Sequence, residues 1–149
     1  MHMKHERLAW SDEYSVGEPS LDEQHKNFCD MANEIIAFSE TENPKKEEML
    51  VLLTKLGNHI LYHFDTEEEY LEKMDIPEAR EHVKKHDKYR EVLKKFIAEV
   101  REDTRVCTDQ SDCKVLADKV ATFVSEWVSK HMLGGGETEK LFAGMRKKG

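Results

Sequence analysis

The chain has 149 residues, the length of one ordinary domain, so a single unit over 1–149 is expected. Its 31 acidic residues outnumber 23 Lys and Arg for a net charge of −8, which argues against nucleic acid, a partner that needs a basic surface. The longest aliphatic run, Met49 to Leu53, is five residues, far short of the roughly 18–20 that a membrane span requires.

Residues 1–18 read as an extended N-terminal arm in which Trp10, Tyr14 and Val16 are the groups able to pack on a body. Ser20 with Glu23 makes a capping box for a first helix reaching about Ser39. Asn43, with Pro44 at the first helical position, is expected to start a second helix running to about Met74. Asp75, Ile76 and Pro77 break the chain and open a third, to about Thr104. After a polar loop, Ser111 or Asp112 opens a fourth, which the glycines at 134, 135 and 136 stop. Residues 137–149 are expected to form a short helix and a basic tail.

Each long helix carries apolar residues at spacings of three and four. The first stripe reads His25, Phe28, Cys29, Ala32, Ile35, Ile36; the second Met49, Leu52, Leu53, Leu56, Ile60, His63, Glu67, Tyr70, Leu71, Met74. The third reads His82, Val83, His86, Tyr89, Leu93, Phe96, Ile97, Val100, and the fourth Leu116, Val120, Phe123, Val124, Trp127, His131. Four such helices with short connections predict an all-α protein, an antiparallel up-down-up-down four-helix bundle over 20–133.

Five histidines and one glutamate intrude into those stripes: His25, His63, Glu67, His82, His86 and His131. Burying any one of them unpaired costs roughly a few kcal/mol, so they need partners. In an antiparallel bundle the start of the first helix, the end of the second, the start of the third and the end of the fourth share one end of the molecule. The six side chains are therefore expected to converge in one layer. Imidazoles around a carboxylate suit a first-row transition metal, since neutral imidazole suits iron, zinc and copper while carboxylate oxygen suits harder ions such as ferrous or ferric iron. HxxxE and HxxxH place both members on one helix face a turn apart. Five histidines exceed the needs of one tetrahedral site, so two metals bridged by Glu67 is the economical reading. Taken singly, each of these histidines reads more readily as a hydrogen-bonded core residue; it is the joint placement that favours metal. His59, one turn before His63, is undecided between a ligand and, the favoured reading, a boundary or ligand-supporting residue, while His2 and His5 are expected to be solvated. The three cysteines, Cys29, Cys107 and Cys113, form no CxxC pair and read as reduced thiols of a cytoplasmic protein, although Cys107 and Cys113 are close enough in sequence to pair. The charged N-terminus does not resemble a signal peptide.

Trp10, Tyr14-Ser15-Val16-Gly17, Asp22-Glu23-Gln24-His25, His63-Phe64 with Glu67-Glu68, His82 with His86, and Trp127 with His131 follow one another in an order that resembles the hemerythrin family, specifically bacterial single-domain members. The resemblance spans about residues 10–133. It implies a bundle holding a non-haem centre of two iron ions, ferrous or ferric, with an oxo or hydroxo bridge, that binds dioxygen reversibly at one iron. Carried over by position, His82, His86 and His131 hold one iron, His25 and His63 the other, and Glu67 bridges them.

The family's last motif is HxxxxD, whose Asp is a second bridging carboxylate, and here that position is Gly136. Glu137 follows, but one residue turns a regular helix by roughly 100°, so it replaces the Asp only if the glycine run distorts the backbone. Without either carboxylate the cluster gains one unit of positive charge, which favours the ferrous form and invites anions such as azide. The expected function is reversible oxygen binding, for carriage, delivery, storage or sensing, by a monomer or weak oligomer. The alternatives are a di-iron redox enzyme, peroxidase or nitric-oxide-reducing, and a degenerate bundle with one metal or none.

Overall fold

Pro19 opens the first helix, where its fixed φ suits the first turn and its missing N–H is not needed. The computed structural model describes residues 5–15, 17–102 and 110–132, with backbone alone for 110–113, 131 and 132. Four α-helices hold most of them, α1 Pro19–Ser39, α2 Lys46–Met74, α3 Pro77–Glu102 and α4 Gln110–Met132, and a short 3-10 turn at Asp12–Tyr14 interrupts the arm expected to be extended. They form an all-α bundle in which α1 packs on α2 and α4, and α2 on α3.

Both ends of the bundle show the up-down-up-down order. At one end His25 of α1 meets His63 of α2, and Glu67 of α2 meets His82 of α3. Trp127 of α4 reaches the same layer, with its ring 6.0 Å from that of Phe64. At the other end Lys46 donates to the Arg101 carbonyl at the close of α3, and Lys114 donates to the Thr41 carbonyl just beyond α1. Cations at helix C-termini satisfy carbonyls that have no partner within the helix.

The caps differ from expectation. Glu18, not Ser20, caps α1, its carboxylate accepting from the Ser20 N–H at 3.4 Å, because Pro19 already occupies the first helical position and the cap falls two residues earlier. α2 starts at Lys46 without a side-chain cap, and Pro44 lies buried ahead of it rather than inside it. α2 ends at Asp75 in the left-handed conformation, at φ 46° and ψ 48°. That residue turns the chain into Pro77 and lets α3 run back along α2.

The buried side chains follow the predicted stripes, with Phe28, Ile35, Leu53, Leu56, Ile60, Leu93, Val100, Leu116 and Val120 at their centre. Phe96 and Phe123 stack at 3.8 Å between α3 and α4. α2 and α3 come so close at Gly57 that a Cβ there would sit 2.9 Å from Ile97 Cδ1. A smaller apolar group, Leu21, Leu71 and Ala79, closes the bundle beyond the histidine layer. The N-terminal arm is pinned by Asn33, whose amide donates to the Leu8 carbonyl at 2.8 Å and whose carbonyl accepts the Leu8 N–H at 2.7 Å. Trp10 and Tyr14 pack on the body as predicted, ring to ring at 5.9 Å. Val16, Cys107, the predicted short C-terminal helix, Gly136 and Glu137 lie outside the described residues.

Candidate metal centre

Five of the six predicted residues have described side chains, and all five converge. α1 supplies His25 from its second turn, α2 supplies His63 and Glu67 one turn apart, and α3 supplies His82 and His86 one turn apart. His25, His63, Glu67 and His86 are 1–2% exposed and His82 6%. His131 lies in the last turn of α4, one turn beyond Trp127, and its side chain is outside the described residues.

The arrangement centres on the Glu67 carboxylate. Its Oε2 lies 3.0 Å from His63 Nε2, which in turn lies 3.1 Å from His25 Nε2. Its Oε1 lies 2.7 Å from His82 Nε2 and 3.2 Å from His86 Nε2. One oxygen thus faces each pair of imidazoles, which divides the cluster into two candidate cation sites that share one residue: His25, His63, Glu67 and Glu67, His82, His86. The donor set fits first-row metals bound through nitrogen and oxygen at about 2.1 Å, since adjacent ligand atoms around such an ion stand about 3 Å apart. Within the first triangle, His63 Nε2 faces both another imidazole nitrogen and a carboxylate oxygen, and a single proton on it cannot bridge to both. A cation satisfies all three lone pairs at once.

The electrostatics prepare the ligands for that task. Burial, reinforced by repulsion from His63, pushes His25 down to about 3, so its imidazole is neutral at pH 7. Burial pushes the Glu67 carboxyl up, but the hydrogen bonds from His63, His82 and His86 outweigh it and hold the group well below the usual carboxylate range. Neutral imidazole and ionised carboxylate are the forms that bind metal.

Behind the ligand atoms the two halves differ. His63 Nδ1 is 2.6 Å from Gln24 Oε1, an acceptor that holds the ring proton on Nδ1 once a cation displaces the proton from Nε2. His25 Nδ1 and His86 Nδ1 are both buried with no hydrogen-bond partner among the described residues, and Glu68 Oε2 stands 3.9 Å from the latter. Aromatic rings wall the layer. Phe28 meets His63 edge-on at 5.2 Å, Phe64 stacks on His86 at 4.2 Å, and Trp10 of the arm lies 6.4 Å from His25.

Sequence reasoning missed Gln24 and Glu68 as supporting residues. The signal was present, since each is the chain neighbour of a predicted ligand, but neighbours on a helix point about 100° apart, and only the facing helix decides what they meet. His59 is exposed and stands apart from the cluster, lining a cleft of about 340 Å³ with Gln24, Asn27, Phe28, Asn58 and Tyr62. His5, expected in solvent, is instead 10% exposed and 4.0 Å from Asp118, because the pinned arm lays it against α4. Among the described residues no helix is long and apolar enough to cross a membrane.

A helical bundle whose core polar groups are imidazoles arranged around one shared carboxylate belongs to the class of cation-binding four-helix bundles. Residues 17–142 match the family model described as Hemerythrin HHE cation binding domain, and the chain belongs to the hemerythrin family. It is 26% identical over 128 residues to a bacteriohemerythrin of Stenotrophomonas maltophilia, covering 85% of this chain and 75% of that one. A bacteriohemerythrin of Clostridium acetobutylicum is 24% identical over 129 residues, covering 85% and 93%. A hemerythrin-like protein of Naegleria gruberi is 23% identical over 125 residues, covering 84% of each chain.

Proposed function

We propose that the chain is a single hemerythrin-like domain over 1–149 that holds two iron ions and binds dioxygen reversibly in the cytoplasm. The observation that carries this reading is the division of labour at Glu67, whose two oxygens each face a separate pair of imidazoles. In this reading His25 and His63 hold one iron, His82, His86 and His131 the other, and Glu67 bridges. Bound iron supplies the electrons that dioxygen takes up.

The chain's own residues set the conditions. Gln24 fixes His63 with its lone pair inward. Phe28, Phe64, Trp10 and the Leu21, Leu71 and Ala79 group exclude water, which restrains loss of electrons to solvent species. At the position of the family's second bridging Asp this chain has Gly136, with Glu137 beside it.

Anaerobic reconstitution with ferrous iron tests the proposal. Two irons per chain and a new ligand-to-iron charge-transfer band on admission of oxygen, reversed by its removal, are expected; absence of both sinks it. Glu137→Ala and Gly136→Asp then resolve the bridge. If Glu137 fills it, Glu137→Ala loses iron. If nothing does, Gly136→Asp slows autoxidation of the oxygenated protein.

A further inference from the structure

His25 and His86 each bury an Nδ1 that has no hydrogen-bond partner among the described residues, and beside that of His86 stands a carboxylate held in place by an arginine. His86 directs Nε2 at Glu67 Oε1, 3.2 Å away, so its other ring nitrogen, Nδ1, must carry the proton whenever Nε2 is committed to a cation. That Nδ1 is buried with no hydrogen-bond partner among the described residues. The nearest acceptor is Glu68 Oε2 at 3.9 Å. Glu68 is not loose. Arg90 of α3 grips both of its oxygens, Nη1 donating to Oε1 at 3.3 Å and Nη2 to Oε2. The guanidinium also lies 5.4 Å over the Phe64 ring, and Phe64 stacks on His86. Arg90, Phe64, Glu68 and His86 thus form one packed group in which the carboxylate stands about 1 Å short of a hydrogen bond to the imidazole.

We propose that Glu68, held by Arg90, is the positioning residue for His86: on cation binding its Oε2 accepts the Nδ1–H and fixes the ring's tautomer and orientation. The proposal rests on reading the buried cluster as a cation site. It extends that reading by making the two halves chemically unequal. His63 is backed by a neutral carboxamide, whereas His86 is backed by a carboxylate whose charge Arg90 partly balances. A carboxylate behind an imidazole raises its basicity more than a carboxamide does. Arg90 also keeps Glu68 from turning its charge directly on the cation.

The test uses the whole chain, stripped of metal and titrated with Zn2+ against a chromophoric chelator, with the exchangeable ring N–H signals followed by NMR in the loaded protein. Wild type is expected to take up two Zn2+ per chain and to show a slowly exchanging His86 Nδ1–H. Glu68→Ala should weaken one of the two sites by roughly 10–100-fold and leave the other within about twofold, with loss or fast exchange of that signal. Glu68→Gln, which keeps the shape and an acceptor oxygen, should retain the signal, shift it, and weaken the site less. Arg90→Met should keep the His86 signal while altering its exchange rate, and Glu69→Gln, exposed one residue on, should change nothing. Wild type that binds no cation overturns the cluster reading and this inference together. Two bound Zn2+ with the His86 signal unchanged in Glu68→Ala overturn this inference alone, even if the affinity falls, since a purely structural role would do that. Should Glu68→Ala fail to fold, Glu68→Gln and Arg90→Met decide by the same signal.

Discussion

The two halves of the buried cluster use the same ligand chemistry and different scaffolding. His25 and His63 come from two helices, α1 and α2, and His63 is steadied from α1 by the uncharged Gln24. His82 and His86 come from a single helix, α3, and His86 stands beside Glu68 of α2, which Arg90 of α3 holds. Separation over two helices makes the first pair depend on how α1 sits against α2, while the second pair is set by one helical turn. Glu67 reads both geometries through its two oxygens. A shared carboxylate can therefore couple two sites that the bundle positions by independent means.

The comparison breaks most completely at Glu67. Glu67→Ala removes the one group common to both halves and is expected to abolish tight binding at both, a loss beyond the roughly 100-fold that marks the upper end for residues behind the ligands. Metal content after dialysis against a chelator measures it. Retention of one metal at full affinity would mean the halves do not share the carboxylate. Gln24→Leu comes next. It strips His63 Nδ1 of its acceptor and should cost the first half about 10–100-fold while sparing the second. Competition titration resolves the two affinities, and an equal loss at both would erase the distinction between them.

Much of this was legible in the sequence because the signals there are local and redundant. Stripes of period 3.6, interrupted by His63 and Glu67 one turn apart and by His82 and His86 one turn apart, state which faces are buried and which residues share them. Antiparallel connection then follows from short loops, and it brings those faces to one end. What the sequence does not carry is the relation between helices. Which nitrogen of His63 turns toward Gln24, and that Arg90 reaches across to Glu68, depend on how α2 rotates against α1 and α3. The caps failed for a nearer reason: Ser20 and Asn43 both satisfy the pattern, but a proline one residue away decides where the first turn begins at Pro19 and is buried outside the helix at Pro44.

Acid should sharpen the first half in particular. The folded protein holds His25 near 3, below the 6.5 of a free imidazole, so the unfolded chain binds the extra proton first. Stability from this group is complete above pH 6.5 and is lost as pH falls toward 3. Glu67 acts in the same direction at lower pH, since its carboxyl is held well below the usual carboxylate range. The metal-free protein is expected to lose up to about 2 kcal/mol between pH 7 and pH 5, read from urea midpoints at the two values. In His25→Gln most of that difference should vanish. A pH dependence unchanged by the substitution would place its origin elsewhere.

The smallest expected effect concerns the turn that sets α2 against α3. Asp75 is the one described residue other than glycine with positive φ, at 46°, a conformation that crowds Cβ against the backbone. Its carboxylate meets Arg80 at 3.0 Å, but both side chains are largely exposed, and such pairs contribute little. Asp75→Gly relieves the crowding, loses a weak ion pair, and adds freedom to the unfolded chain, so the terms nearly offset. A gain of no more than about 1 kcal/mol in thermal or urea unfolding is expected. Metal affinity at both halves should stay unchanged, because Glu67 and His82 lie two turns of helix away on either side of the bend. Weakened binding at the His82 and His86 half alone would show instead that the Asp75 side chain holds the register of α3 against α2.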